Sequence, residues 1–84
     1  MVKVTEVLTA KRIKPIRAGL LIILPDREVQ IPWQDCSPRL AAATQEQRLT
    51  AELSPGGYGI HWPLLDEDLS ISGLLAGHHE RTRG

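Results

Sequence analysis

The strongest structural signal in the chain lies at residues 20–31, which read Leu20-Leu21-Ile22-Ile23-Leu24-Pro25-Asp26-Arg27-Glu28-Val29-Gln30-Ile31. The five apolar residues at its start form an uninterrupted run, which predicts a central strand covered on both faces. Pro25, Asp26 and Arg27 are typical of a tight turn. Beyond the turn, Val29 and Ile31 alternate with polar neighbours, which predicts a half-buried strand antiparallel to the first.

The preceding residues extend this pair into a meander. Val2–Leu8 alternates apolar and polar residues, which predicts a first strand. The polar segment Lys11–Pro15 contains a proline and is expected to be a connection, so that the second strand runs from Arg17 to Leu24.

Two short helices are expected after Trp33, where the period of the apolar residues changes. Ser37 followed by Pro38 is typical of a helix N-cap and first position, which predicts a helix over 38–43. Thr44 and Gln47 have the spacing of a capping box, which predicts a second helix to about Ala51. No glycine or proline interrupts residues 39–53, so a single bent helix is the alternative.

The C-terminal part is expected to return to strands. The Pro55-Gly56-Gly57 break precedes a predicted strand over 58–62, and residues 52–54 are expected to pair with it. Residues 64–68 are expected to form a loop. Ser70 or Ser72 then caps a last short helix through Leu75, which Gly77 ends.

The expected fold class is therefore α+β, in one domain spanning 1–84 with a flexible tail at 78–84. A small antiparallel or mixed sheet of four to five strands, beginning with the N-terminal meander, would carry two or three short helices packed on it. Trp33 and Trp62 are expected to be the large space-fillers, since phenylalanine is absent. The predicted core is Val4, Leu8, Leu20, Ile22, Leu24, Val29, Ile31, Leu40, Leu49, Ile60, Trp62, Leu74 and Leu75.

Composition and charge narrow the class of protein. The chain has 84 residues, no net charge and one cysteine, which excludes a secreted domain held by internal disulfides. The longest apolar run is far below the roughly 20 residues that span a bilayer, and the first residues do not resemble a signal peptide. We expect a cytoplasmic protein without a membrane partner.

The C-terminal half resembles a known family. The residues that carry the resemblance are Pro38-Arg39-Leu40, Ala43-Thr44-x-Glu46-Gln47-Arg48, Gly59-Ile60-His61-Trp62-Pro63, Leu65-Asp66-Glu67-Asp68-Leu69-Ser70 and Gly73-Leu74-Leu75-x-Gly77. They are similar to the DUF2442 family, small bacterial proteins of unknown function, over roughly residues 3–77. The family's usual Asp-Gly turn is Asp26-Arg27 here.

The resemblance implies a small mixed α+β fold, similar to the N-terminal domain of a Nitrosomonas protein. In some relatives that domain precedes a helix-turn-helix segment, which is not present in this sequence. Relatives tend to be encoded in two-gene units of toxin–antitoxin type, which suggests an antitoxin-like or accessory role. Such an association is a weaker guide to function than the chemistry of a site.

The candidate binding residues are His61, Trp62, Asp66, Glu67 and Asp68. His61 with Asp66 or Asp68 has the composition of a general base with an orienting carboxylate, but no placed nucleophile accompanies it. A histidine bonded to the following loop is the structural alternative. We therefore expect no catalytic residues. The consecutive residues Asp66-Glu67-Asp68 lack the spacing of a calcium-binding loop.

Metal and cofactor sites are not expected elsewhere either. His78 and His79 are adjacent and supply too few ligands for a transition-metal site. Cys36 follows Asp35 and has no evident base to lower its pKa.

The charge is unevenly distributed along the chain. Residues 1–27 carry six basic and two acidic side chains, and residues 28–84 carry four basic and eight acidic ones. A nucleic acid could contact the basic part through phosphate, using Lys11, Arg12, Lys14 and Arg17. An acidic part of the same chain or of a second subunit is the favoured partner of these residues.

These observations predict a small binding module that acts through protein–protein interaction. A protein partner is expected, with a homodimer as a further expectation. The first alternative is a nucleic-acid-binding regulator. The second is a small-molecule binder or enzyme centred on His61 and the loop at 66–68.

Overall fold

A computed structural model describes residues 9–77 of the chain. Within these residues the chain forms two three-stranded antiparallel sheets and four short α-helices. In chain order the elements are β1 (Arg12–Ile16), β2 (Gly19–Ile23), β3 (Glu28–Pro32), α1 (Trp33–Cys36), α2 (Pro38–Ala41), α3 (Gln45–Leu49), β4 (Glu52–Leu53), a 3₁₀ turn (Pro55–Gly57), β5 (Gly59–Trp62), β6 (Glu67–Ser70) and α4 (Ile71–Gly77).

The α+β class is confirmed, but the prediction of one sheet with four to five strands is wrong. Strands β1, β2 and β3 form an N-terminal sheet, and β4, β5 and β6 form a C-terminal sheet. The chain enters α1 immediately after β3, and three helices separate β3 from β4. Each sheet is therefore built from strands that are neighbours in sequence, as antiparallel hairpins allow.

The N-terminal meander exists, but its first strand is not the predicted one. The expected connection Lys11–Pro15 is largely strand β1, and the predicted strand Val2–Leu8, with core residues Val4 and Leu8, lies outside the described residues. Pro15 lies opposite Leu20 on β1, which pairs only with β2 among residues 9–77. A proline is tolerated there because it need not donate to the ladder.

Strand β2 is central in its sheet, as predicted, but it is covered on one face. Leu20 and Ile22 are fully buried, whereas Leu21 and Ile23 on the opposite face are half-buried. Gly19 lets β3 approach closely, since a Cβ there would lie 2.4 Å from the Ile31 carbonyl oxygen.

The predicted helix caps are present. The Ser37 hydroxyl accepts from the Leu40 N–H at 3.1 Å, and Thr44 and Gln47 exchange bonds as a complete capping box. The helices α2 and α3 are separate and shorter than predicted, because α2 ends at Ala41 and α3 at Leu49. Helix α1 was not predicted, since its four residues show no periodicity of their own.

The segment predicted as a loop at 64–68 is in part strand β6. It begins at Glu67, after a turn in which Asp66 has a φ of 55°. Ser70, one of the two predicted caps, accepts from the Gly73 N–H at 2.9 Å at the start of α4. Gly77 belongs to α4 instead of ending it, and the tail at 78–84 with His78 and His79 lies outside the described residues.

Both sheets and the helices α1, α2 and α4 contribute side chains to one core. Its fully buried large side chains are Trp62, Leu20, Ile22, Ile31, Leu40, Ile60 and Ile71. Trp33 and Trp62 pack edge to face, with ring centroids 6.5 Å apart, which confirms their expected role as space-fillers. The core prediction was wrong for Leu49, which is 45% exposed at the end of α3, and it omitted Ala10 and Ile71.

No helix within residues 9–77 has the length and apolarity needed to cross a membrane.

Candidate functional site

His61 and Asp68 form a pair across neighbouring strands of the C-terminal sheet. They lie directly opposite each other on β5 and β6, and His61 Nδ1 is 2.8 Å from Asp68 Oδ1. The side chains are 39% and 74% exposed, respectively. The predicted association of His61 with one of the acidic residues is thus present, and the partner is Asp68.

Strand alternation places this pair on the surface. Ile60 and Trp62 are buried in the core, so His61 between them points to the opposite face of β5. The register brings further polar residues to that face. We define the His61 face as Glu52, Ser54, Gly59, His61, Asp68 and Ser70.

A shallow, open cleft lies on the His61 face. It has a volume of about 400 Å³ and is lined by Ser54, Tyr58, Gly59, Ile60, His61, Asp68, Leu69 and Ser70. Gly59 lies on this face between Ser54 and Ser70, and a Cβ there would lie 3.2 Å from the Leu69 carbonyl oxygen. Tyr58 precedes β5 and is 55% exposed.

The His61–Asp68 pair presents hydrogen-bonding groups at the surface. A neutral His61 that donates from Nδ1 to Asp68 keeps Nε2 as an acceptor, and a protonated His61 makes an ion pair. A general base needs a group to deprotonate within hydrogen-bond reach. The Ser54 hydroxyl in the same cleft instead accepts the Gly59 N–H at 2.9 Å, which fixes the turn between β4 and β5.

The three consecutive acidic residues do not act together. Asp66 forms the turn before β6, and Glu67 lies on the strand face opposite to Asp68. The Glu67 carboxylate binds Arg39, with Oε1 3.3 Å from Nε, and Arg39 also donates to the Leu65 carbonyl. Within residues 9–77, no group of three His, Cys, Asp or Glu side chains could hold a metal ion.

Trp62, the fifth predicted binding residue, is fully buried beneath the site. Its indole N–H donates to the Arg48 carbonyl at 3.2 Å. Trp62 therefore supports β5 from the core side and offers no surface to a ligand in this conformation.

Arg48 ties the helices to this core. Its Nε and Nη2 donate to the carbonyls of Leu40 and Ala41, each at 3.0 Å, which satisfies acceptors at the end of α2. Its guanidinium lies 5.6 Å from the centroid of the Trp33 ring. Of the residues that carry the family resemblance, Arg39, Arg48 and Trp62 thus have structural partners. His61 and Asp68 lie at the surface.

The four predicted phosphate contacts are all exposed and lie on or beside β1. Arg12 and Lys14 share one face of β1, Lys11 precedes the strand, and Arg17 lies in the β1–β2 turn. Across the same sheet face, β3 carries the acidic residue Glu28.

Cys36 is not a candidate nucleophile. Burial first, and the nearby Asp35 carboxylate second, raise the pKa of the Cys36 thiol to about 12, while Arg48 acts in the opposite direction. The thiol is therefore protonated at neutral pH, and thiolate is the reactive form.

Sequence reasoning did not identify Ser54 or Ser70 as parts of a site. Ser54 and Ser70 had been assigned to a strand end and a helix cap, and both also line the cleft. If residues 67–70 had been predicted as a strand paired with β5, the alternation of side chains would have placed Ser70 on the same face as His61.

Comparison with known proteins places the chain among structures without an assigned activity. A protein of unknown function from Rhodospirillum rubrum is 32% identical, with a TM-score of 0.73, over 83% of this chain and 87% of that one. An uncharacterised protein from Chromobacterium violaceum is also 32% identical, with a TM-score of 0.67, over 82% of this chain and 65% of that one. No functionally curated protein matches the chain. The family described as "Protein of unknown function (DUF2442)" matches residues 10–80, and the chain belongs to this family.

Proposed function

We propose that this domain is a binding module that acts through protein–protein contacts, and that the His61 face is its contact surface. The observation that carries the proposal is the Asp68 carboxylate, which is 74% exposed and yet held in one orientation by His61. An oriented, accessible carboxylate is a ready acceptor for a guanidinium or ammonium group.

The surroundings of Asp68 support a basic partner segment. The His61 face carries the carboxylates of Glu52 and Asp68 and no lysine or arginine. Tyr58 at the cleft is 55% exposed, and tyrosine is enriched at the centres of protein interfaces. A partner that places an arginine or lysine in the cleft, beside Tyr58, would complement this surface.

An antitoxin-like or accessory role is the specific form of this proposal. The partner would then be the product of the adjacent gene in a two-gene unit. Such a protein should copurify with the domain at a fixed stoichiometry.

The test is quantitative capture from the native host with three tagged, full-length proteins after nuclease treatment. They are the wild type, Asp68→Lys and Asp26→Lys. Asp26 is a matched control, because its side chain is 72% exposed and it also has a charged neighbour, Arg27. We expect one stoichiometric protein with the wild type and with Asp26→Lys, and at least about tenfold less with Asp68→Lys.

The other outcomes decide against the proposal. Equal capture by all three proteins would show that the His61 face is not the contact surface. If nucleic acid is recovered when nuclease is omitted, and no protein is recovered in either case, the regulator that uses Lys11, Arg12, Lys14 and Arg17 becomes the better hypothesis. A binding curve that weakens steeply with salt would then support phosphate contacts.

A further inference from the structure

The outer face of the N-terminal sheet has a pattern that the proposed function does not use. Strand pairing arranges its residues in three rows, each crossing β1, β2 and β3. The rows are Arg12–Ile23–Glu28, Lys14–Leu21–Gln30 and Ile16–Gly19–Pro32. We call these nine residues the meander face.

The meander face is apolar in its centre and oppositely charged at its two sides. Leu21 and Ile23 on β2 are half-buried and do not belong to the residues packed against the core. Arg12 and Lys14 are exposed on the β1 side, and Glu28 is exposed on the β3 side. No described residue forms a salt bridge with any of these three charged side chains.

We infer that a second copy of this chain binds the meander face, with a two-fold axis parallel to β2 between the two stacked sheets. This axis places each row over the same row of the second copy in reversed order. Arg12 then faces Glu28 of the second copy, Lys14 faces Gln30, and Leu21 and Ile23 each face their own equivalents. A two-fold contact requires such self-complementarity.

Other arrangements of two copies fit less well. An axis across the strands stacks β1 on β1, which brings Lys14 onto its own equivalent and leaves Glu28 without a base. Pairing of two β1 edges is opposed by Pro15, which has no N–H to donate in the middle of that strand. The charges therefore select face-to-face stacking with β1 over β3.

The area of the meander face limits the expected affinity of the dimer. Three strands of five residues cover about 14 Å by about 17 Å, from the usual strand spacing and rise. This is well below the roughly 800 Å² that each partner contributes to a standard stable interface. We expect a reversible dimer with a dissociation constant of about 10 to 100 μM.

Sedimentation analysis of the full-length chain from about 5 to about 500 μM tests the inference. The wild type should dimerise, and Arg12→Glu and Glu28→Arg should each weaken dimerisation by about tenfold, because each change affects two contacts per dimer. Leu21→Lys, which places a charge on the axis, should remain monomeric. The Leu21 side chain is half-exposed, and an unchanged circular dichroism spectrum would show that this variant folds.

A mixture of two self-repelling variants identifies the axis. When Arg12→Glu is mixed with Glu28→Arg, both charge contacts of a heterodimer become attractive, so the mixture should associate more tightly than either variant alone. The double variant should also regain dimerisation. A monomeric wild type at about 500 μM, or a mixture no tighter than its components, overturns the inference.

Asp68→Lys is the control that separates this surface from the His61 face. It should leave the dimer unchanged, because Asp68 belongs to the other sheet. Loss of dimerisation in Asp68→Lys would mean that the two copies meet through the C-terminal sheet, and would also overturn the inference.

Discussion

Gly57 lies against the backbone of Ala10 and joins the start of the N-terminal sheet to the turn before β5. The Ala10 N–H donates to the Gly57 carbonyl at 2.8 Å. Gly57 has a φ of 77°, and a Cβ at this position would lie 2.2 Å from the Ala10 carbonyl oxygen. The contact therefore requires a residue without a side chain.

Gly57→Ala is expected to lower the free energy of unfolding by at least about 2 kcal/mol, since both the positive φ and the steric clash oppose the new methyl group. Gly77→Ala is the matched control, because a Cβ there meets nothing within 4 Å. Urea denaturation, monitored by the fluorescence of Trp33 and Trp62, would measure the free energy of unfolding of both variants. Equal stability of the two variants would contradict the close approach.

Arg48 stabilises the core through the geometry of its guanidinium. Arg48→Lys should lower the free energy of unfolding by about 1–2 kcal/mol, because an ammonium group cannot make both carbonyl hydrogen bonds while lying over the Trp33 ring. The emission of Trp33 should change in the folded variant. Urea denaturation is the measurement, and a cost below about 0.5 kcal/mol would show that charge alone is sufficient.

Arg27→Lys is the corresponding control. Arg27 forms a salt bridge with its exposed neighbour Asp26, and such surface pairs contribute little. We expect Arg27→Lys to change the free energy of unfolding by less than about 0.5 kcal/mol.

Local signals in the sequence predicted local structure well. Ser37, Thr44 and Gln47 make the capping bonds that their spacing indicates, since each bond is made within three residues. The predicted strand at 58–62 is present as β5, in which buried Ile60 and Trp62 alternate with His61, because side-chain direction in a strand has a period of two.

Relationships between distant residues could not be predicted in the same way. The register that brings Asp68 to His61 depends on a turn with Asp66 in the left-handed region, and its three acidic residues suggested a solvated loop. The bonds of Arg48 to α2 depend on how two short helices pack. The division into two sheets depends on which strands pair with each other, and strand patterns alone do not contain that information.

Substitutions at Ile71 and Leu49 distinguish the core predicted from sequence from the core seen in the structure. Leu49 was predicted in the core and is 45% exposed, whereas Ile71 was omitted and is fully buried at the start of α4. Ile71→Ala should destabilise the fold by about 2–5 kcal/mol, and Leu49→Ala by less than about 1 kcal/mol. Thermal or urea unfolding of both variants would show this order, and the reverse order would support the core predicted from sequence.

The Cys36 thiol should make stability depend on pH in the alkaline range. Its pKa is raised from 9.0 to about 12 in the folded protein, chiefly by burial. Below pH 9 the thiol is protonated in both states, and above pH 9 the unfolded state alone loses the proton. Stability is therefore expected to fall as the pH rises from about 9 to about 12.

Comparison of the wild type with Cys36→Ala isolates this effect from the titration of lysine and tyrosine, which both proteins share. Urea unfolding at pH 8 and at about pH 10.5 should show a larger loss of stability in the wild type than in Cys36→Ala. Alkylation provides an independent measurement, because reaction at pH 8 should be slow in the folded wild type and fast in urea. Parallel pH dependence of the two proteins, with rapid alkylation of the folded chain, would show that Cys36 is exposed and ionises normally.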